Sequence, residues 1–264
     1  MYQYINKSVT MKFSIAILSF FLCFLHYNCV KYVDLSYSFN NNTNYWPTST
    51  NFKFIKKVEG HRDDNSWYAM YDFAAGEHGG THLDAPYHFN ENAWKLGEIP
   101  FNRLISQGAF LDLSTVVSAS PDPNFQVQPS HLEQWEKING PFKNGTILLI
   151  KFGWSKFWPN KTDYMGLQNG TLNFPGISKA AAQWITSSKK FYGVGVDTAS
   201  VDPGNSTDFA AHRELSKGYL FNMEMVQIVE NLPAQGFKLF ALPMKIEFGT
   251  GGPLRLVAEL DCNC

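Results

Sequence analysis

Three histidines and one aspartate lie within residues 78–88, HGGTHLDAPYH, and this segment restricts what the chain can fold into. On an extended backbone His82 and Asp84 point to the same face, because side chains alternate along a strand. The glycine pair before His82 and the proline after Asp84 disfavour a helix and let the backbone turn, so that His78 can reach the same centre. Imidazole and carboxylate groups together suit zinc, manganese or iron. The segment therefore predicts a metal site; a loop whose histidines only hydrogen-bond their neighbours is the alternative.

The composition is that of a globular chain without a strong charge. It has 264 residues, 44% of them hydrophobic and 16% aromatic, and a formal net charge of -1. This length is sufficient to bury a full core, and we find neither a linker nor an internal repeat, so we expect one domain. A nearly neutral chain lacks the basic field that attracts nucleic acid, and we expect no nucleic-acid partner.

Strand-like runs outnumber helical ones. Strands are predicted at 32–38, 67–75, 109–113, 146–152, 192–197, 219–223, 238–242 and 254–259. Helices are predicted from a capping box that begins at Ser130 and over 179–187 after Ser178. The polar loop 201–208 is long enough to suggest a functional role. Because single helices are scattered among many strands, we expect a mixed α/β domain rather than a regularly alternating, doubly wound sheet.

Residues 1–29 resemble a targeting segment. From Met11 the chain shows a basic residue, an apolar run over 13–25 and then polar residues, which is the layout of a secretory signal peptide with a run too short for a comfortable membrane span. We expect residues 1–29 to form an N-terminal extension and signal peptide, and 30–264 to form the mature domain without stable membrane insertion. An uncleaved anchor stays open, because no cleavage site of small residues is evident near Asn28.

Five N-glycosylation sequons also favour export: they begin at Asn41, Asn144, Asn160, Asn169 and Asn205. We therefore expect a secreted or secretory-lumen glycoprotein. The four cysteines lie near the two ends of the chain, at Cys23, Cys29, Cys262 and Cys264. No disulfide framework is predicted to hold the domain together.

The order of several motifs resembles the cyclase family of metal-dependent hydrolases, which includes bacterial-type kynurenine formamidases and isatin hydrolases. The pattern His-x3-His-x-Asp-x3-His at 78–88 is similar to the family signature. Similar segments follow over nearly the whole mature chain: Asp34-Leu35-Ser36, Tyr45-Trp46-Pro47, 195–202, His212 with Glu224, and 241–246. The resemblance implies a single mixed-sheet α/β domain of the swivelling β/β/α type.

The same resemblance implies a dinuclear metal site. One divalent ion would be bound by His78, His82 and Asp84, and a second by Asp84, His212 and Glu224, with Asp84 bridging. Zinc is the expected metal and manganese the alternative, because these ligands accept both. Two such ions can present a shared water as hydroxide and neutralise the oxyanion on an attacked carbonyl. Taken alone, His212 and Glu224 could be an ordinary polar side chain and an ion-pair partner, and Glu214 competes for the carboxylate role.

The remaining roles concern proton transfer and the substrate. His88 is similar to the family's proton-transfer residue, and an imidazole titrates near neutral pH. Trp46 and Tyr87 are expected to line an aromatic pocket for a planar substrate, with Phe89 on the opposite face of its segment. Plain core packing is the alternative for these aromatic rings.

The predicted function is that of a secreted, metal-dependent amide hydrolase, arylformamidase-like, acting on N-formylkynurenine or a related aromatic formamide. Isatin hydrolase-like opening of a cyclic amide or lactone is one alternative, and a non-catalytic secreted metal-binding protein is an alternative of another class. Thr250 lies where many family members carry an acidic residue, which leaves the substrate open. The family also implies a homo-oligomer.

Overall fold

A computed structural model describes residues 30–229 and 231–261. The predicted signal peptide and all four cysteines lie outside the described residues. Within the described ranges, none of the helices combines the length and the apolar character needed to cross a bilayer.

The described elements alternate irregularly along the chain. The strands are β1 (Val30–Asp34), β2 (Lys53–His61), β3 (Trp67–Ala74), β4 (His82–Asp84), β5 (Ile105–Asp112), β6 (Gln126–Val127), β7 (Thr146–Lys151), β8 (Gly176–Ile177), β9 (Phe191–Val196), β10 (Phe221–Glu224), β11 (Gln235–Pro243) and β12 (Gly251–Asp261). The α-helices are α1 (Phe101–Leu104), α2 (Ser114–Ala119), α3 (Pro129–Asn139), α4 (Lys161–Tyr164), α5 (Lys179–Ser188) and α6 (Ala210–Lys217). Short 3₁₀ turns occur at Pro86–His88, Leu96–Glu98 and Trp154–Phe157.

The main sheet closes on itself. Its order is β1-β12-β11-β5-β7-β9-β10-β4, and β4 also pairs with β12, so that the strands from β12 to β4 form a ring with β1 outside it. Strands β5, β7, β9 and β10 run parallel to one another, whereas β4 is antiparallel to both β10 and β12. The short strand β4, which carries His82 and Asp84 from the centre of the histidine motif, is therefore the element that closes the ring.

Both faces of the parallel strands are buried, which explains their continuous apolar runs. In β7, Ile147 and Leu149 join a cluster that also contains Leu83, Met223 and Leu256, and this cluster fills the inside of the closed sheet. The alternate residues of β7 join a second cluster under the helices, whose helical members are Leu132, Trp135, Ala181, Ala182, Ile185, Ala211 and Leu215. Helices α3, α5 and α6 thus cover the outer face of the parallel strands.

The prediction of one mixed α/β domain is confirmed by this architecture and by its similarity to solved structures. The swivelling β/β/α assignment stays a prediction. The predicted capping box at Ser130 is wrong: α3 begins at Pro129, and the ring nitrogen Nδ1 of His131 accepts the backbone N–H of Gln128 at 2.9 Å. Pro129 favours this start because its fixed φ suits the first helical turn. Strand β1 ends at Asp34, four residues earlier than predicted.

Strands β2 and β3 form a separate two-stranded hairpin. The sequence predicts β3 but not β2, whose lysine-rich sequence KFIKKVEGH lacks the alternation of a half-buried strand. Nearly every residue of the hairpin is exposed on both faces. The hairpin joins Ser49, beside the candidate site, to His78, the first histidine of the motif.

Asp197 connects the ends of two neighbouring parallel strands. Its buried carboxylate accepts the backbone N–H groups of Phe152 and Trp154, each at 2.7 Å, just beyond β7. Burial raises the pKa of Asp197 to about 6, against the opposing effect of these hydrogen bonds. The carboxylate thus fixes the start of the aromatic 3₁₀ turn that packs near Trp46.

Candidate metal centre and active site

Strands β4 and β10 place three candidate ligands on one face of the sheet. His82 and Asp84 alternate with Leu83, whose side chain points into the interior cluster, so both polar side chains point outward. Glu224 lies directly opposite His82 in the antiparallel register. Side chains of such opposing residues lie close together, which brings Glu224 to the motif without any local sequence signal.

His78 reaches this centre through the turn that the glycine pair allows. Gly80 has a φ of +57°, a left-handed conformation that favours glycine. Gly79 lies against the ring of Tyr45, and a Cβ atom there would come within 1.9 Å of that ring. The predicted turn is therefore seen at Gly80, whereas glycine is required at Gly79 by the close approach of Tyr45, which was not predicted.

Asp84 divides its two oxygens between two groups of histidines. Oδ1 lies 2.6 Å from Nδ1 of His78 and 3.3 Å from Nε2 of His82. Oδ2 lies 3.3 Å from Nε2 of His212, which is itself 3.0 Å from Oε1 of Glu224. The five side chains form two sets, His78-His82-Asp84 and Asp84-His212-Glu224, each of which could hold a metal ion. Asp84 belongs to both sets.

Helix α6 delivers His212, and Asp202 orients it. The Asp202 carboxylate accepts the backbone N–H groups of Ala211 and His212 at 2.7 and 3.1 Å, at the start of the helix. It also lies 2.6 Å from Nδ1 of His212. This contact places the proton on Nδ1 and leaves Nε2 facing Asp84 and Glu224. A buried carboxylate that orients a ligand histidine is a common feature of metal sites.

The donor set fits a cation. Nδ1 of His82 lies 2.9 Å from the carbonyl oxygen of Gly80, whereas its Nε2 is buried and lacks a hydrogen-bond partner. An imidazole nitrogen with its lone pair facing two carboxylates is what a divalent metal requires. Burial alone would raise the pKa of Asp84, but the surrounding histidines outweigh it and hold the pKa well below its usual value. Asp84 is therefore ionised, and its buried charge requires positive partners.

The structure separates the predicted metal ligands from Glu214, which the sequence offered as an alternative carboxylate. The structure brings the five predicted ligand residues together. Glu214 lies on α6 and pairs with Lys217 on the surface at 2.9 Å, so it does not compete for the site.

His88 lies beside the ligand cluster on the 3₁₀ turn that follows β4. Its ring stacks on that of His78, with centroids 4.0 Å apart, and faces the cavity. Burial, opposed by Asp84, lowers the pKa of His88 to about 4. The imidazole is therefore neutral at ordinary pH and able to accept a proton.

A cavity of about 360 Å³ opens onto these histidines. Three aromatic residues line it: Trp46, Phe89 and Phe209. The Phe209 ring contacts both of the others, at centroid distances of 6.0 Å to Trp46 and 5.4 Å to Phe89. Phe209 has a left-handed φ of 49°, which is rare for an aromatic residue and marks a position held by its surroundings.

The expectation for Tyr87 and Phe89 is wrong in this cavity. Phe89 lines it, whereas Tyr87 packs against the interior cluster and under the ammonium group of Lys95. Residues Pro86–His88 form a 3₁₀ turn, in which successive side chains are about 120° apart, so Tyr87 and Phe89 do point in different directions as expected. The sequence does not show which of the two directions faces the cavity, and Tyr87 takes the alternative of core packing.

Asp202 and Phe209 are the main residues to which the sequence assigned no role. Both lie in or beside the long loop 201–208, whose length was one signal, and Asp202 also ends the segment 195–202 that resembles the family. Asp202 acts on His212 at a separation of ten residues. Its role depends on the turn that leads into α6, which local sequence does not specify.

Comparisons with known proteins point to one family. The sequence profile of the Cyclase family ("Putative cyclase") matches residues 33–203. The chain is 29% identical over 217 residues to an isatin hydrolase of Roseibium aggregatum, covering 77% of this chain and 80% of that protein. It is 26% identical over 232 residues to a kynurenine formamidase of Bacillus thuringiensis subsp. konkukian, covering 87% of this chain and 97% of the relative.

Solved structures show the same architecture. An isatin hydrolase bound to the product analogue thioisatinate superposes with a TM-score of 0.82 and 25% identity, covering 94% of this chain and 99% of the other. Isatin hydrolase A from Labrenzia aggregata, bound to benzyl benzoate, has a TM-score of 0.81 at 23% identity and covers 93% and 99% of the two chains.

Changing Asp202 to Asn is expected to weaken metal binding by about 10- to 100-fold, because the amide no longer holds His212 in one orientation. Zn²⁺ affinity is measured by competition with a chromophoric chelator. The control is Asp208→Asn, which alters an exposed carboxylate of the same loop. Equal affinities of the two variants would show that Asp202 does not position a ligand.

Proposed function

The chain belongs to the cyclase family of metal-dependent hydrolases, and we propose that it hydrolyses an amide carried on an aromatic ring, with an aryl formamide as the first candidate. The observation that carries the proposal is the division of the Asp84 carboxylate. One oxygen faces His78 and His82 and the other faces His212. A carboxylate placed in this way can bridge two cations, and two divalent ions, zinc or manganese, are part of the proposal.

When bound, two divalent cations supply activation of a water molecule and neutralisation of the charge that develops on the attacked carbonyl oxygen. His88 accepts the proton of the attacking water and delivers it to the leaving nitrogen. Its stacking on His78 holds the ring in place for both transfers. The neutral state that burial gives His88 suits the first of these steps.

The walls of the cavity favour an aromatic substrate. Trp46, Phe89 and Phe209 present ring faces and edges around an opening that leads to the histidines. A planar ring placed among them gains apolar burial and ring–ring contact. The histidines and the Glu224 carboxylate that line the cavity then face the carbonyl group to be hydrolysed rather than the aromatic ring.

A cyclic amide is the second candidate. Its support is the similarity of the chain to isatin hydrolases in both sequence and structure. Isatin is a rigid bicyclic molecule that is smaller than N-formylkynurenine. The cavity therefore does not have to accommodate an acyclic side chain. The two reactions give different products. Hydrolysis of isatin gives a ring-opened acid, whereas hydrolysis of a formamide releases formate.

Purified, metal-loaded protein is expected to hydrolyse N-formylkynurenine or formanilide with release of formate, or isatin with formation of the ring-opened acid. His88→Ala is expected to lower kcat by about 10²- to 10⁴-fold without loss of bound metal, because a proton-transfer group is removed and no ligand is. The control is His61→Ala, an exposed histidine of the hairpin. Bound metal with no turnover of any of the three substrates would favour a non-catalytic metal-binding protein.

We also propose that the protein enters the secretory pathway and is glycosylated. The support is that the asparagine of every sequon, at positions 41, 144, 160, 169 and 205, is exposed. In Asn160 the carbonyl oxygen Oδ1 accepts backbone N–H groups of α4, which leaves the amide nitrogen, the atom that carries the glycan, pointing away from those bonds.

Expression of the full chain in a eukaryotic host is expected to give a secreted product whose mass falls after treatment with peptide N-glycosidase. Removing each sequon in turn by Asn→Gln is expected to remove one glycan at a time. Retention of an unmodified chain in the cytosol would contradict the proposal. A membrane-bound, glycosylated product would favour the uncleaved anchor.

A homo-oligomer is the last part of the proposal. The β2–β3 hairpin exposes apolar side chains on both faces, among them Trp67 at 62% and Phe73 at 50%, and patches of this kind mark interaction surfaces. Sedimentation velocity is expected to show a dimer or larger species that dissociates in the double variant Trp67→Ser with Phe73→Ser. The control is Ile138→Ser, an exposed apolar residue of α3. A monomeric wild type would exclude this part.

A further inference from the structure

We propose that Thr250 and Glu77 position His78 as a metal ligand through a hydrogen-bonded relay that runs from Glu77 to Thr250 to His78. This inference rests on the proposed metal-dependent function. His78 needs such support more than the other ligands do. It comes from a loop and its side chain is 21% exposed, whereas that of Asp84 is 1% exposed.

The direction of the relay follows from the chemistry of its members. The Thr250 hydroxyl lies 2.5 Å from Oε2 of Glu77 and 2.8 Å from Nε2 of His78. A hydroxyl has one proton, and a carboxylate oxygen only accepts. The proton of Thr250 therefore goes to Glu77, and the lone pairs of its oxygen accept the Nε2–H of His78. With the proton on Nε2, the other ring nitrogen, Nδ1, is the one that faces Asp84.

The backbone fixes the relay at both ends. The same Glu77 oxygen also accepts the backbone N–H groups of Thr250 and Gly251, at 3.0 and 3.3 Å. Gly251 pairs with Asp84 across β12 and β4, and Ala85 donates its N–H to the carbonyl oxygen of Thr250 at 2.9 Å. Thr250 is thus tied to the strand that carries the shared carboxylate.

Two glycines make room for the relay. A Cβ atom at Gly251 would lie 2.6 Å from the ring of His78, and one at Gly249 would lie 2.9 Å from Oε1 of Glu77. The turn 249–251 is therefore shaped around these two side chains. This gives a physical role to a glycine-rich turn whose sequence lacks the features of a phosphate-binding loop.

The relay completes a common pattern among the three ligand histidines. In His82 and His212 one nitrogen faces the carboxylates, and the other is held by an acceptor, the Gly80 carbonyl oxygen or Asp202. In His78 the acceptor is the Thr250 hydroxyl, which itself donates to the Glu77 carboxylate. Such outer contacts orient a ligand ring and raise its basicity.

The test compares Thr250→Val, which removes the hydroxyl with little change in shape, with Thr250→Ser, which keeps it. Zn²⁺ affinity is measured by chelator competition, and thermal unfolding confirms that each variant is folded. We expect Thr250→Val to bind Zn²⁺ about 10- to 100-fold more weakly and Thr250→Ser to bind nearly as well as wild type. The control is Thr115→Val, an exposed threonine of α2.

A spectroscopic readout separates positioning from a general structural effect. In the Zn²⁺-loaded protein, the Nε2–H of His78 is expected to give an imidazole proton resonance protected from solvent exchange. Thr250→Val loses this resonance, Thr250→Ser retains it and Glu77→Gln weakens its protection. Unchanged affinity and an unchanged resonance in Thr250→Val would overturn the relay and leave the hydrolase proposal intact. Absence of amide hydrolysis in wild type would overturn the proposed function but not these binding results.

Discussion

The buried carboxylate of Asp84, shared by three imidazoles, is the interaction on which the rest of the site depends. A charge removed from water is stable only where opposite charges and hydrogen bonds replace the lost solvation. His78 and His82 approach one of its oxygens and His212 the other. Each histidine comes from a different structural context: a glycine turn, a strand and a helix. The fold is therefore constrained to bring three separate segments to a single carboxylate.

The closed sheet satisfies this constraint. Strand β4 pairs with β10 on one side and with β12 on the other, so the residue pairs Asp84–Asn222 and Asp84–Gly251 fix the carboxylate from both directions. The first pairing places Glu224 opposite His82, and the second brings the turn that holds Thr250 against His78. Leu83, between the two ligands, packs into the interior of the sheet and resists rotation of the strand. Ligand geometry and core packing thus depend on the same three residues of β4.

Local patterns predicted those parts of the molecule that local physics determines. The apolar run of β7 and the helix over 179–188 follow from burial and capping, since Ser178 accepts the N–H of Ala181 at 3.1 Å. The resemblance to the family supplied His212 and Glu224, which have no distinctive sequence context of their own. Contacts between distant segments were not predictable: Thr250 meets His78 across 172 residues. Tyr87 and Phe89 were exchanged because the local sequence does not show which side of the 3₁₀ turn at Pro86–His88 faces the cavity.

The most direct test of the account is the metal content of wild type and Asp84→Ala, measured by inductively coupled plasma mass spectrometry. Amide hydrolysis by the same two proteins is measured in parallel, with and without a chelator. Asp84→Asn, which keeps the shape of the side chain, and thermal unfolding show whether a loss reflects the ligand or the fold. The account predicts about two metal ions per wild-type chain, chelator-sensitive hydrolysis, and loss of both in the folded variants. Wild-type protein without metal, or a folded Asp84→Ala that keeps both its metal and its activity, would contradict it.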